Sequence, residues 1–583
     1  MTTPDRRGGE YALADLKRVV EGAIATNGAL LTAGERTVCS LLLALDGAAG
    51  RVYARLASRS GELFRVDALR YEDAGAGVEM LEREGLVHAG LPWSQRICCF
   101  TVTELQELCR ARGLAVGGRR QDLERRLCGE VVGHPARVIR VANKPLIRRL
   151  ELLWFRSPRR DRSLLILERL GHFSPAKYEA GTGGRAFATR AELLAFEEAH
   201  RAVLEPEEGL QRAASWAPRP AHLRRLDTRR VLAARALERA RELERAGEDH
   251  RAEELYRRAL ALPAQPEFAA WRLAQILGRS GRQRQGAELC AHWRQRAPPP
   301  EALRLERTGR RLARKARVTW VPARPQKRAP KRRVRLERAG TLGNRPGWGR
   351  GVTVEQACVD ALAPRRALPA ENLLWTTIFG LLFVDLYFLP VEGMLPAPFL
   401  CGPLDLGTSE FRGRRPEIEG RLESIRAGRA REVLARNWEA RSGQSVTGLA
   451  WKAWSQLDLE AVVEGIGPAA ATICERLLEE GWASARGLPD LCVLPGPSCK
   501  IDAIPATIPG GLMLVEVKGP TDSMRDEQRV WHDRLLRAGV QVELWNVAEP
   551  ATTRSHCDPP DTAEPRKNAA FATSWGWHDC CFK

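Results

Sequence analysis

A chain of 583 residues exceeds what a single hydrophobic core usually organises, so roughly two to four folding units are expected. Apolar residues at 44% and charged residues at 28% exclude a disordered or fibrous protein. The 92 Lys and Arg against 72 Asp and Glu leave a charge of +20, which argues for a polyanionic partner. Fourteen cysteines contain no CxxC pair and no zinc-finger spacing, and the opening MTTPDRRGGE lacks the apolar run of a signal peptide. Reduced thiols in a cytoplasmic compartment are the expectation, nucleoid-associated in a bacterium and nuclear in a eukaryote.

In chain order, the first hundred residues mix helical periodicity with strand-like pieces at Thr37–Leu45 and Leu63–Leu69. From Phe100, FTVTELQELCRARGLAVGGRRQDLERRL places Leu105, Leu108 and Cys109 on one helical face. It breaks at Gly113 and resumes after Gly117-Gly118 with Leu123 and Leu127. This helix-link-helix pattern resembles the SAP motif, a small DNA-binding module. The resemblance implies that Arg119 and Arg120, at a helix N-terminus, meet phosphates.

Residues 137–169 are basic and helical, and equally suited to line a DNA channel or to form a solvated face. From Val231 to Ala287 the sequence reads as paired helices, with a turn at Gly247 and a stripe of Ala252, Tyr256 and Ala259 that resembles a tetratricopeptide repeat. A weaker second unit runs from Trp271 through Gly278 to Ala287. Two such units do not bury a core alone, so a scaffold packed on its neighbours is expected. Residues 297–350, rich in Arg, Lys and Pro, predict an extended, solvent-facing connector. Asn372–Pro390 is apolar over a bilayer-crossing length, but Asp385 inside it would cost about 2.5–3.5 kcal/mol, so a buried helix of a soluble core is expected and no membrane partner.

The chemistry lies between Gly487 and Val547. GLPDLCVLP reads as a turn into a short strand, GGLMLVEVKG as a second strand, TDSMRDEQRVWHDRLLRAG as a helix and VQVELWNV as a third strand. Alternation puts Glu516 and Lys518 on one face of an otherwise apolar strand, with Val517 turned away and its carbonyl beside them. Buried charges need compensation. If the first strand pairs alongside, Asp490 reaches Glu516, and two carboxylates with a carbonyl are the hard oxygen ligands that Mg2+ or Mn2+ accepts.

Pro489-Asp490 followed by Glu516-Val517-Lys518 resembles the PD-(D/E)xK nuclease signature, and GLPDL, LVEVKGP and a helix carrying Gln528 and Trp531 resemble its VRR-NUC version. Upstream, Glu371 with TIFGLLFVDLYF, then PLDLG and RRPEIEGRL, extend the match. With the SAP-like and repeat-like regions in the same order, the chain resembles the Fanconi-associated nuclease family, as a bacterial-type member without an N-terminal zinc module.

The resemblance implies catalytic Glu371, Asp490, Glu516 and Lys518, metal ligation by Glu371, Asp490, Glu516 and the Val517 carbonyl with two Mg2+ or Mn2+ ions, and a supporting Gln528. It also implies branched or 5'-flap DNA as partner, 5'-flap endonuclease and 5'-3' exonuclease action leaving 5'-phosphates, and a role in interstrand-crosslink repair. The alternatives are a non-catalytic DNA-binding scaffold and a junction resolvase of the same superfamily. The expected architecture is multidomain α+β: a mixed region (1–99), the SAP-like motif (100–130), a basic helical region (131–228) and repeat-like helices (229–296). The connector (297–350), an α/β restriction-endonuclease-like core (351–548) and a tail expected to be disordered (549–583) follow.

Overall fold

The computed structural model describes residues 6–70, 74–128, 136–156, 162–178, 187–194, 196–197, 226–260, 265–336, 353–371, 373–408, 410–496, 511–519 and 522–548. The expected tail lies outside them, as do parts of the basic helical region and of the connector. The chain forms two compact units: residues 1–173, 179–197 and 396–400 make the first, and the remainder makes the second.

The first unit is a helical body around a three-stranded antiparallel sheet. In it β1 (Leu63–Arg65) and β2 (Val87–His88) flank β3 (Val138–Val141). The expected strand at Thr37–Leu45 is instead part of the helix Ala33–Ala44. A capping box decides it: the Thr32 hydroxyl accepts from the Glu35 amide while the Glu35 carboxylate accepts from the Thr32 amide. Short apolar runs do not distinguish strand from helix by themselves. The SAP-like segment lies in sequence between β2 and β3, as helices Val102–Ala111 and Arg120–Cys128. Leu105, Cys109, Leu123 and Leu127 are buried against Trp93 and Phe100. In the basic region that follows, Arg149 is forked onto Glu197 and also pairs with Glu35, and Arg162 pairs with Glu151. Those charges hold the unit together.

The second unit begins with antiparallel helices Leu226–Arg245, Asp249–Ala259, Pro266–Arg279 and Gln283–Arg294, in which Ala252, Tyr256 and Ala259 face the shared core as the repeat pattern implies. A further helix, Pro299–Ala316, closes the stack through Leu305, Leu312 and Ala313. It joins the nuclease-like core through Arg307, forked onto Asp526 at 2.6 and 2.5 Å. Part of the expected connector is therefore regular structure: residues 299–316 are helical, and β4 (Lys331–Arg335) enters the main sheet. The core expected from residue 351 thus recruits an earlier strand. An amphipathic stripe hidden among many arginines explains why charge density misled the reading of this segment.

That sheet has five strands in the order β4, β8 (Gln541–Ala548), β7 (Met513–Lys518), β6 (Leu491–Val493), β5 (Ala367–Pro369). β4, β8 and β7 run parallel, and β6 and β5 alternate against them. One face packs Val515, Val517, Trp545, Val547 and Val334 against the helix Val354–Leu362. The other packs Leu514 and Val542 against Trp531 and Leu535 of the helix Asp526–Arg537 and joins the largest core. Through that core runs Leu373–Tyr387, buried at thirteen of fifteen positions. Asp385, one of the two exceptions, is forked onto Arg421 at 2.9 and 2.5 Å. No helix among the described residues is long and apolar enough to cross a membrane.

The PLDLG and RRPEIEGRL segments meet in a buried ion pair, Arg415 Nη1 to Asp405 Oδ2 at 2.9 Å, with Arg415 also donating to the carbonyls of Leu386 and Phe411. Arg415→Leu strands the Asp405 carboxylate. Because Arg414 remains 3.3 Å away, the loss is expected at the lower end of about 3–5 kcal/mol, read from denaturant unfolding of the full chain.

Candidate active site

The site is assembled where β6 meets β7. The antiparallel register sets Leu491 opposite Val515, so the preceding Asp490 falls opposite Glu516 on the same face. Leu488 is buried, Pro489 has no amide to satisfy, and the Asp490 carbonyl accepts from Ala370 N at 2.7 Å, which continues the β5–β6 pairing. The Asp490 carboxylate then accepts from the Val517 amide at 2.7 Å. Gly487 makes this turn possible. Its φ is +89°, and a Cβ there would stand 2.7 Å from the Gln528 backbone nitrogen, so only glycine lets the helix N-terminus come so close.

Glu516 is fully buried. Its Oε1 meets Lys518 Nζ at 2.5 Å and also accepts from the Gln528 carboxamide. Gln528 has a double role, because its own carboxamide oxygen accepts from Arg525 N at 2.8 Å and so closes the first turn of the helix. Trp531 anchors that helix by donating from Nε1 to the Ser484 carbonyl at 2.6 Å. Among the described residues, the second Glu516 oxygen, Oε2, is buried with no hydrogen-bond partner, and the buried His532 Nε2 stands 3.8 Å from it, likewise without one. Burial and the neighbouring Glu516 charge push the Asp490 carboxyl up to about 8, against the lowering effects of the Val517 amide and Lys518.

Asp490, Glu516, Lys518 and Gln528 thus converge as expected. Glu371 precedes the helix instead of opening it, since the helix starts at Leu373. Its side chain is exposed, yet its charge is felt at Asp490 from the end of β5. The Val517 side chain lies in the apolar layer of the opposite face, leaving its carbonyl as the group of interest. The Arg120 side chain is exposed; its guanidinium pairs with Glu124 at 2.7 Å and donates to the carbonyls of Cys98 and Phe100, which ties the second SAP-like helix to the segment before the first. The Arg119 side chain remains exposed at the helix mouth. His532 was missed, although its place one turn after Gln528, on the helix face that carries Trp531, was a signal available in the sequence.

A mixed sheet that seats Pro489-Asp490 beside Glu516-Val517-Lys518, backed by a helix on the same face, has the form of the PD-(D/E)xK class. Residues 425–549 match the VRR-NUC domain model, and residues 100–131 match the SAP domain model. The Fanconi-associated nuclease 1 homolog of Arabidopsis thaliana is 34% identical over 184 residues, covering 31% of this chain and 20% of that protein. Fanconi-associated nuclease 1 of Homo sapiens is 29% identical over 191 residues, covering 31% and 18%. The chain therefore spans about a fifth of the length of the curated relatives it matches. The crystal structure of paFAN1 bound to 2nt 5'flap DNA with gap superposes with a TM-score of 0.78 at 24% identity, covering 95% of this chain and 100% of that one. The chain carries a SAP domain and a VRR-NUC domain on the fold of a Fanconi-associated nuclease.

The raised Asp490 carboxyl has a thermodynamic consequence. Below about pH 4 the group is protonated in both folded and unfolded chains. From there to about 8 the unfolded chain alone releases the proton, so stability of the chelator-treated protein falls as pH rises, by at most about 1.4 kcal/mol per unit, and then levels off. Unfolding midpoints measured across this window should show that slope, flattened in Asp490→Asn.

Proposed function

We propose that the chain is a divalent-metal-dependent, structure-selective DNA nuclease acting on branched or 5'-flapped duplexes. The observation that carries this reading is the buried Asp490–Glu516 pair beside Lys518, with one Glu516 oxygen accepting no hydrogen bond among the described residues, inside a VRR-NUC domain.

The residues suit a hard cation. Burial and the neighbouring Glu516 charge raise the cost of ionising Asp490, and a divalent ion relieves it. Among the described residues, no three His, Cys, Asp or Glu side chains converge tightly enough to hold an ion. The donor set we assign is therefore Asp490, Glu516 and the Val517 carbonyl, completed by water, with Glu371 contributing to a second ion. Bound there, Mg2+ or Mn2+ supplies Lewis-acid stabilisation of charge on the phosphate and leaving oxygen. Lys518, held by Glu516, orients the attacking water through Nζ, and Gln528 keeps the Glu516 carboxylate from rotating away. Val517 N fixes Asp490 in the same way.

The finer assignments are 5'-flap incision, 5'-3' exonuclease action with 5'-phosphate products, and work on chromosomal DNA in crosslink repair. They draw support from the relatives' names and from the flap DNA bound by paFAN1. Basic charge and the SAP domain support DNA as the partner.

A labelled 5'-flap duplex, offered beside 3'-flap, four-way-junction and linear substrates with Mn2+ or chelator, tests the reading. Fragments are expected only with metal and first at the 5' flap. Lys518→Met is expected to slow cleavage by about 10²- to 10⁴-fold while DNA binding persists, and Asp490→Ala to abolish it. Tight binding without fragments under any ion would leave a scaffold, and preference for the junction would leave a resolvase. In the SAP domain, Arg119→Gln should weaken binding to all duplexes alike and lessen its salt dependence by about one contact. Arg120→Gln should instead lower the thermal midpoint.

A further inference from the structure

The parity of the sheet carries the active-site face beyond β7. In the parallel register Glu516 lies opposite Leu544 and Lys518 opposite Asn546. On the next strand Lys331 lies opposite Leu544, Arg333 opposite Asn546 and Arg335 opposite Ala548. Directly paired residues share a face, so Lys331, Arg333 and Arg335 project on the side that holds Glu516 and Lys518, two strand spacings away, about 10 Å. The buried layers agree. Val334 joins the apolar cluster of the opposite face with Val517, Trp545 and Val547. Arg332, also on that opposite face, is forked onto Glu543 at 2.7 and 2.8 Å.

The three cations differ from the many arginines of this protein that meet a carboxylate, such as Arg307, Arg415 and Arg421. All are exposed, and none has an acidic partner among the described residues. They sit on a backbone held at fixed register: Leu544 N donates to the Pro330 carbonyl at 2.9 Å, and Lys327 N donates to Asp533 at 2.6 Å. Between them and the catalytic pair stands Asn546, which is exposed and polar and places no anion in the way.

We propose that Lys331, Arg333 and Arg335 on β4 form a phosphate-binding strip that carries the DNA backbone between solvent and the catalytic pair. Unpaired cations at a repeat of about 6.7 Å along one strand face suit a polyanion that runs with the strand, and rigid placement lowers the cost of holding it. Basic residues on an edge strand also discourage edge-to-edge pairing with other sheets. That role alone requires no DNA contact and leaves affinity unaltered, so the two are separable.

The inference rests on the nuclease reading, and the test keeps the two apart. The full chain and a Lys331→Gln, Arg333→Gln, Arg335→Gln variant are compared for flap-DNA affinity across salt concentrations with metal chelated, and for cleavage kinetics with Mn2+. A control variant, Arg251→Gln, Arg258→Gln, Arg284→Gln, removes the same charge from exposed helical-repeat positions paired to neighbouring glutamates. The strip predicts that the slope of log affinity against log salt shrinks by about 2 to 3 in the β4 variant. It also predicts a KM raised at least tenfold with kcat kept within about twofold and an unchanged thermal midpoint, while the control stays near the parent. An unchanged slope and KM in a parent that binds and cuts DNA overturns the strip alone, as does an equal loss in the control. A parent that binds DNA without cutting removes the nuclease reading and leaves the slope to judge the strip; one that binds no DNA removes both.

Discussion

Two carboxyl groups, Asp490 and Glu516, face one another across the adjacent strands β6 and β7, whose other side chains apart from Lys518 are apolar, and much of the surrounding structure follows from accommodating them. Each is given partners that fix its direction: the Val517 amide for Asp490, and Lys518 with Gln528 for Glu516. Those partners impose further constraints. Gln528 reaches Glu516 only if the helix N-terminus comes down onto the β6 turn, which requires Gly487, and only if the helix axis is held, which Trp531 does by bonding to Ser484. The Glu516 Oε2 atom is the remaining imbalance: among the described residues it accepts no hydrogen bond, and His532 Nε2 stands 3.8 Å from it.

The same economy of charge runs through the rest of the molecule. A surplus of +20 suggests a surface spread with free cations, yet many arginines are engaged inside the fold. Arg415 neutralises Asp405 in the helical core, Arg421 neutralises Asp385, Arg307 ties the repeat stack to the nuclease core, and Arg120 ties the second SAP helix to the segment before the first. A position in a basic run therefore does not by itself tell a free cation from a paired one: Arg332 on β4 is forked onto Glu543, while its neighbours Lys331, Arg333 and Arg335 are exposed and have no acidic partner among the described residues.

The helical repeats gain meaning in this light. Their small-residue stripe lets helices approach closely, and the terminal Pro299–Ala316 helix covers the open end while passing its Arg307 to the first turn of the Gln528 helix. A scaffold of local helix pairs thereby braces the one helix that supports Glu516. This links distant sequence to the site through a chain of packed, rigid elements.

The sequence by itself determined the strand, strand, helix, strand order of the catalytic segment, the sharing of one face by Glu516 and Lys518, and the SAP and repeat patterns. All of these are local periodicities of two or 3.6 residues that short windows express. It also distinguished a buried helix around Asp385 from a membrane span, because a single acid in an apolar run already carries the cost. Only the tertiary structure decided that Thr37 lies in a helix, that Lys331–Arg335 is a sheet strand, that Arg120 is engaged and that His532 faces Glu516. Each depends on which distant group lies within hydrogen-bonding reach, and a charge reads alike in sequence whether a carboxylate 200 residues away meets it, as Asp526 meets Arg307, or none does.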